Sequence, residues 1–195
     1  MNVQAAEALC RAEQARIRRD FPRQRNDPLL LVDVEHQRMY LFGDDRLLAD
    51  YPVSTARNGI GNREGSHCTP SGVHRVREKI GDGAPSGMIF RGRVATGECA
   101  TDSVACGDSD RITSRILWLE GLEPGINQGH GIDSCERYIY IHGTDEEGRI
   151  GQPVSHGCIR MRNADVIALF DRVPEGVAVV IRETSQLVDK PMTRA

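Results

Sequence analysis

Apolar positions along this chain change their period repeatedly, and the changes mark its elements. Residues 2 to 21, within MNVQAAEALCRAEQARIRRDF, place Val3, Ala6, Cys10 and Ile17 on one helical face, interrupted by Glu13, and Pro22 marks a stop. So weak a stripe predicts a helix laid on the outside of a domain. The apolar-rich runs 29 to 42 and 46 to 54 flank Gly43-Asp44-Asp45 and read as strands joined by tight turns. From 54 to 111 the chain is dense in Gly, Ser, Thr, Asp and Pro, with short strand candidates at GVHRV (72–76) and MIFRGRV (88–94). Loops of that length in a compact domain commonly form the walls or lids of a site. RILWLEG (115–121) and RYIYIHG (137–143) are two further strands, each ending in glycine. NADVIALFDRV (163–173) predicts a helix with Asn163 as its cap and Asp165 in its first turn, stopped by Pro174, and GVAVVI (176–181) closes as a buried strand. The chain is therefore mostly strand and loop, with one helix close behind Cys158.

With 195 residues the chain is long enough for one substantial core. Its 28 acidic residues against 25 Lys and Arg, interspersed along the chain, leave no footprint for nucleic acid or an anionic membrane. No segment approaches the roughly 18 apolar residues of a membrane span, and the N-terminal stretch has no signal-peptide core. The expectation is a soluble, cytoplasmic protein. Its six cysteines (Cys10, Cys68, Cys99, Cys106, Cys135 and Cys158) form no C-x-x-C pair and read as reduced thiols, not as a disulfide scaffold.

The densest chemistry lies in PVSHGCIRM, residues 153–161, where a hydroxyl, an imidazole, a thiol and a guanidinium fall between Ser155 and Arg160. A thiol needs a neighbouring imidazole or cation to raise its thiolate fraction. His156 is two residues away but would run parallel to Cys158 in an extended segment. His142, sixteen residues before Cys158 at the end of RYIYIHG, can point at the sulfur from an adjacent strand. Gly157 admits close backbone approach, so amides of 156–158 can serve a developing oxyanion, and Arg160 can hold a substrate carboxylate. Local chemistry leaves three readings open: a nucleophile, a buried structural thiol, or a zinc ligand with His142 and His156.

IHGT at 141–144 followed by SHGCIRM at 155–161 resembles the signature of the L,D-transpeptidase (YkuD-type) catalytic domain family. YPVSTARNG at 51–59, TPSGVHRV at 69–76 and the opening hairpin from LLLVDVEHQRMYLF are similar to its other landmarks. The resemblance covers 28–182; it leaves 1–27 as an N-terminal helical extension and 183–195 as a polar tail. It implies a mainly β, β-sandwich-like fold with few helices and no cofactor or metal. It also implies Cys158 as nucleophile, His142 as base and the Gly143 carbonyl as the group orienting the imidazole. The amides of Gly157 and Cys158 would form the oxyanion hole, with Ser155, His156 and Arg160 lining the substrate pocket.

Members of that family attack the bond between the third residue of a peptidoglycan stem peptide and the D-alanine at position four. Water as acceptor gives an L,D-carboxypeptidase; an amine gives cross-linking or exchange. The expectation here is a cytoplasmic L,D-carboxypeptidase trimming tetrapeptide stems of soluble muropeptides in cell-wall recycling, with the segment 97–110 closing over the substrate. The alternatives are an L,D-transpeptidase and, from another class, a non-catalytic muropeptide-binding domain. Oligomeric state is not legible.

Overall fold

The computed structural model describes residues 3–24, 27–100 and 111–183. Helix α1 (Val3–Asp20) is followed by β1 (Leu29–Asp33), β2 (Arg38–Gly43) and β3 (Arg46–Pro52), then by β4 (Gly72–Ile80), β5 (Met88–Arg91), β6 (Val94–Cys99) and β7 (Ile112–Gly121). The chain ends with β8 (Tyr140–Gly143), a 3-10 turn (Glu147–Arg149), β9 (Ile159–Met161), α2 (Asn163–Arg172) and β10 (Ala178–Arg182). The strands form one curved sheet in the order β3-β2-β1-β10-β4-β7-β5-β6, with β8 also paired to β7 and β9 outside β8. The pairs β1–β10 and β8–β9 are parallel and the others antiparallel. The fold is mainly β, as the sequence implies.

Strand alternation explains the layers. Leu30, Val32, Met39, Leu41, Val179 and Ile181 point into the main core, where they meet Ile141, Ile159, Met161 and the α2 residues Val166, Leu169 and Phe170. The alternate residues Leu29, Leu31, Tyr40, Phe42, Ala178 and Val180 face the other way and pack on Ala6, Leu9, Cys10 and Ile17 of α1. This second cover is why the β1 stretch LLLV is apolar without interruption: both of its faces are buried. Glu13, which breaks the apolar face of α1 in the sequence, is buried and ion-paired to Arg182 of β10 and, at 3.4 Å, to Arg16. The helix is thus pinned to the sheet by charge as well as by area.

Two local expectations change. The strand read at 137–143 begins only at Tyr140, because Tyr138 has a φ of +55° and sits in a turn. The N-cap of α2 is Arg162, without a side-chain cap; Asn163 is the first helical residue and its side chain is used elsewhere. Most of the segment 97–110, from 101 onward, and the tail from 184 onward lie outside the described residues.

Candidate active site

Parallel pairing of β8 with β9 sets Ile141 opposite Ile159, His142 opposite Arg160 and Gly143 opposite Met161. Because Ile141, Ile159 and Met161 are committed to the main core, alternation turns Tyr140, His142, Cys158 and Arg160 to the other face. There Cys158 packs on a separate cluster of Phe90, Ile116 and Tyr140. The loop between the two strands is held by the stretch 53–57. The Ser155 amide donates to Thr55 O at 2.9 Å, the Arg57 amide to Ser155 O at 3.1 Å, and Ser54 brackets Arg160 with two backbone bonds. The similarity of YPVSTARNG to a family landmark thus has a structural counterpart: it is the strut against which the Cys158 turn is built.

Cys158 is half-buried. Its sulfur accepts the Tyr140 amide at 3.4 Å and donates to Tyr138 O at 3.5 Å. His142 is 1% exposed, and its Nδ1 lies 2.7 Å from Gly143 O. A carbonyl only accepts, so Nδ1 carries the proton and Nε2 is left as the basic nitrogen. The group that meets Nδ1 is the Gly143 carbonyl, for which the orienting role is expected. Gly143 is required for space: a Cβ there would lie 2.7 Å from Thr113 O and 2.6 Å from Asn163 Oδ1. Asn163 Oδ1 accepts from Thr113 Oγ1 at 2.6 Å and Ser114 Oγ at 2.5 Å, while its amide nitrogen donates to Thr144 O and Glu147. Asn163 ties β7, the loop after β8 and the start of α2 into one frame around Gly143.

Several expected substrate contacts are placed differently. Ser155 is 1% exposed, and its hydroxyl accepts the Gly157 amide at 3.2 Å and donates to Cys158 O at 2.6 Å. It staples the nucleophile's turn and does not line the pocket. The same bond engages the Gly157 amide, the group expected to face an oxyanion, within the turn. Gly157 is needed for conformation: its φ is +137°, and a Cβ would press on Cys68 O at 3.3 Å. Arg160 is 2% exposed, and its guanidinium pairs with Glu146 at 2.7 Å. It shares a face with Cys158, as an extended segment requires, but a carboxylate of this chain already occupies it. His156 is exposed and meets His67 edge-on, with ring centroids 6.0 Å apart.

Sequence reasoning missed the cation beside the thiol. Arg137 is half-buried and close enough to Cys68 and Cys158 for a thiolate at either to stabilise its charge; burial, the largest influence, pushes its pKa down. It flanks a cleft of about 240 Å³ whose walls include Glu64, His67, Glu136, Tyr138 and His156. On the other side of Tyr138, which is 55% exposed, lies a shelf of Trp118 and Tyr140, with the Arg93 guanidinium 4.4 Å over the Trp118 ring. Arg93 also donates to Tyr140 Oη at 3.1 Å; burial nevertheless raises the Tyr140 pKa. The signal for Arg137 was present in RYIYIHG, but strict alternation would send it to the core with Ile139 and Ile141. The positive φ at Tyr138 breaks that alternation.

The zinc reading is not favoured by the geometry. Among the described residues, the group of three metal-capable side chains with ligand atoms within 4.8 Å of one another is Asp33, Glu35 and His36, on the β1–β2 turn. His142, His156 and Cys158 do not converge in that way.

The YkuD family profile, described as the L,D-transpeptidase catalytic domain, matches residues 27–181. Two curated relatives share short, similar stretches. "Probable L,D-transpeptidase YbiS" of Escherichia coli K12 is 45% identical over 56 residues, covering 29% of this chain and 16% of that protein. "Putative L,D-transpeptidase YkuD" of Bacillus subtilis is 56% identical over 46 residues, covering 24% and 28%. A longer alignment, to "Probable L,D-transpeptidase YcfS" of Escherichia coli K12, is 25% identical over 162 residues and covers 80% of this chain and 44% of that protein. The chain therefore aligns with less than half the length of each. In fold it is similar to L,D-transpeptidase 3 from Mycobacterium tuberculosis, with a TM-score of 0.51 at 16% identity, covering 80% of this chain and 60% of that one.

Proposed function

Because the chain belongs to the L,D-transpeptidase catalytic domain family, we propose that it is a cysteine L,D-carboxypeptidase removing the terminal D-alanine from peptidoglycan tetrapeptide stems. The observation that carries this reading is the pairing of β8 with β9, which turns Cys158 and a singly oriented His142 to one face. His142 Nε2 takes the thiol proton, and the sulfur attacks the carbonyl carbon of the third residue. The Cys158 amide supports the oxyanion that forms. The intermediate collapses to a thioester as D-alanine leaves, its nitrogen taking the proton from His142. Water, deprotonated by the same imidazole, then splits the thioester and returns the thiol.

Hydrolysis of a chain end is supported by the cleft lined by Tyr138 and His156, whose neighbours in the fold include Cys158. Its volume of about 240 Å³ is below the roughly 300–1,000 Å³ typical of sites enclosing drug-sized ligands, and the half-buried Arg137 flanks it. The proposal extends to soluble muropeptides in the cytoplasm, where the reaction would serve cell-wall recycling; fractionation of cells making the native protein tests that placement.

The names of the similar proteins favour a second reading, transfer of the acyl group to an amine. One experiment separates the two. A free diaminopimelate-type tetrapeptide is incubated with the protein, with and without a D-amino acid, and the products are weighed by mass spectrometry beside a Cys158→Ala control. Loss of D-alanine in water alone, abolished in the variant, supports the carboxypeptidase. Exchange only when a D-amino acid is supplied supports the transferase. Binding without turnover by either route leaves a non-catalytic muropeptide binder.

A further inference from the structure

Arg137 is a cation held partly out of water without an anion to meet it. Its guanidinium donates to two backbone carbonyls, Gly61 O at 3.2 Å and Cys68 O at 2.7 Å. These are two of the five N–H donors an arginine carries. Among the described residues no carboxylate lies within ion-pair distance of it, and Glu64 influences its charge only weakly. By contrast, Arg160 meets Glu146 at 2.7 Å, and Arg182 meets Glu13. A half-buried guanidinium held by two carbonyls but by no carboxylate has its desolvation only partly offset in the empty protein. It suits a site whose anion arrives with the ligand, since the planar fork matches a carboxylate with two parallel bonds.

Position decides which carboxylate. The two carbonyls that anchor Arg137 belong to the 61–68 loop, the wall against which Gly157 packs through Cys68 O. Tyr138, the next residue, supplies the carbonyl that accepts from the Cys158 thiol at 3.5 Å. The guanidinium is thus fixed to both backbones that frame the nucleophile. The cleft it flanks is small and bears His67 and His156 beside it, so it fits the end of a chain better than its middle.

We infer that Arg137, and not Arg160, is the specificity-determining residue that binds the free C-terminal carboxylate of the leaving residue. This deepens the carboxypeptidase reading and rests on it for the identity of the peptide. Through Arg137 the site distinguishes a peptide that ends one residue beyond the scissile bond from one that continues. The bond is ionic and forms on substrate binding, so it does not depend on the thiol.

The test is binding, measured by calorimetry on Cys158→Ala protein so that neither turnover nor a thiolate enters. The probes are a diaminopimelate-type tetrapeptide ending in D-alanine and the same peptide ending in D-alanine amide. The acid should bind about 10- to 100-fold more tightly than the amide, the range expected of hydrogen bonds to a charged group. Adding Arg137→Gln should erase the difference by weakening the acid alone, and Arg137→Lys should restore part of it. Should the glutamine variant fail to fold, the Arg137→Lys protein decides: an acid–amide ratio as large as that of the Cys158→Ala protein overturns the assignment, and a smaller one supports it. Equal binding of acid and amide by that protein overturns the assignment, and so does an acid preference that survives Arg137→Gln. Hydrolysis by the wild-type protein is scored separately: acid preference without hydrolysis supports the Arg137 site and refutes the carboxypeptidase.

Discussion

Replacing Gly143 by alanine tests the frame that aims the base. The added Cβ would sit 2.7 Å from Thr113 O, 2.9 Å from Thr113 Oγ1 and 2.6 Å from Asn163 Oδ1, where ordinary contact begins at 3.4 Å. The oxygens of Asn163 and Thr113 could rearrange at the loss of their mutual bond, but Thr113 O is the backbone of β7 directly opposite Gly143. Relief therefore needs the two strands to part by about 0.7 Å, the gap between 2.7 and 3.4 Å. Overpacking of that kind costs about 1–3 kcal/mol, which for a chain of this size lowers Tm by about 2–12 °C. The Gly143 carbonyl moves with its Cα, so the 2.7 Å bond that fixes His142 is lost or redirected. A base misplaced by about 1 Å costs on the order of 10²-fold in rate. The assay is kcat/KM for tetrapeptide hydrolysis, beside a thermal melt. Gly148→Ala serves as control, since its Cβ would meet nothing within 4 Å. A Gly143→Ala protein with wild-type kcat/KM would refute the assignment of Gly143 as the orienting group, and an unchanged melt would refute the packing argument.

Three further outcomes are expected. Burial holds the His74 imidazole neutral and lowers its pKa from 6.5 to about 4. The unfolded chain therefore takes up a proton that the folded one refuses, and stability is full above about pH 6.5 and falls by about 3 kcal/mol toward pH 4. Urea titrations at several pH values should show this slope, and His74→Gln should flatten it. Glu146→Ala removes the carboxylate that Arg160, 2% exposed, meets at 2.7 Å, and should destabilise by about 3–5 kcal/mol in chemical denaturation; a loss under about 1 kcal/mol would mean that the other contacts of the guanidinium suffice to hold it. Ser155→Ala removes the two bonds that close the turn before Cys158. A drop of about tenfold in kcat with KM nearly unchanged is expected from steady-state kinetics, whereas a rise in KM alone would return Ser155 to the substrate pocket.

The chain declares by itself whatever depends on neighbours in sequence. Period gave α1, the β1–β2–β3 run and α2 close to their observed bounds. The positions of His142 and Cys158 are legible because both belong to short motifs at the ends of strands, and the requirement for glycine at 143 and 157 is legible in the same motifs. What the pattern alone does not show depends on the folded sheet and its turns. Glu13 looks like a flaw in an apolar face until Arg182, 169 residues away, is seen against it. Asn163 looks like a helix cap until Thr113 and Ser114 of β7 claim its side chain. Arg160 sits on the face that alternation assigns, yet Glu146 takes its charge. Arg137 sits on the face that alternation forbids, because the chain turns at Tyr138. Side-chain period is a local property of the backbone and can be read from a string of residues. Which charge meets which is set by strand pairing and by the turns between strands, and these exist only once the sheet has formed.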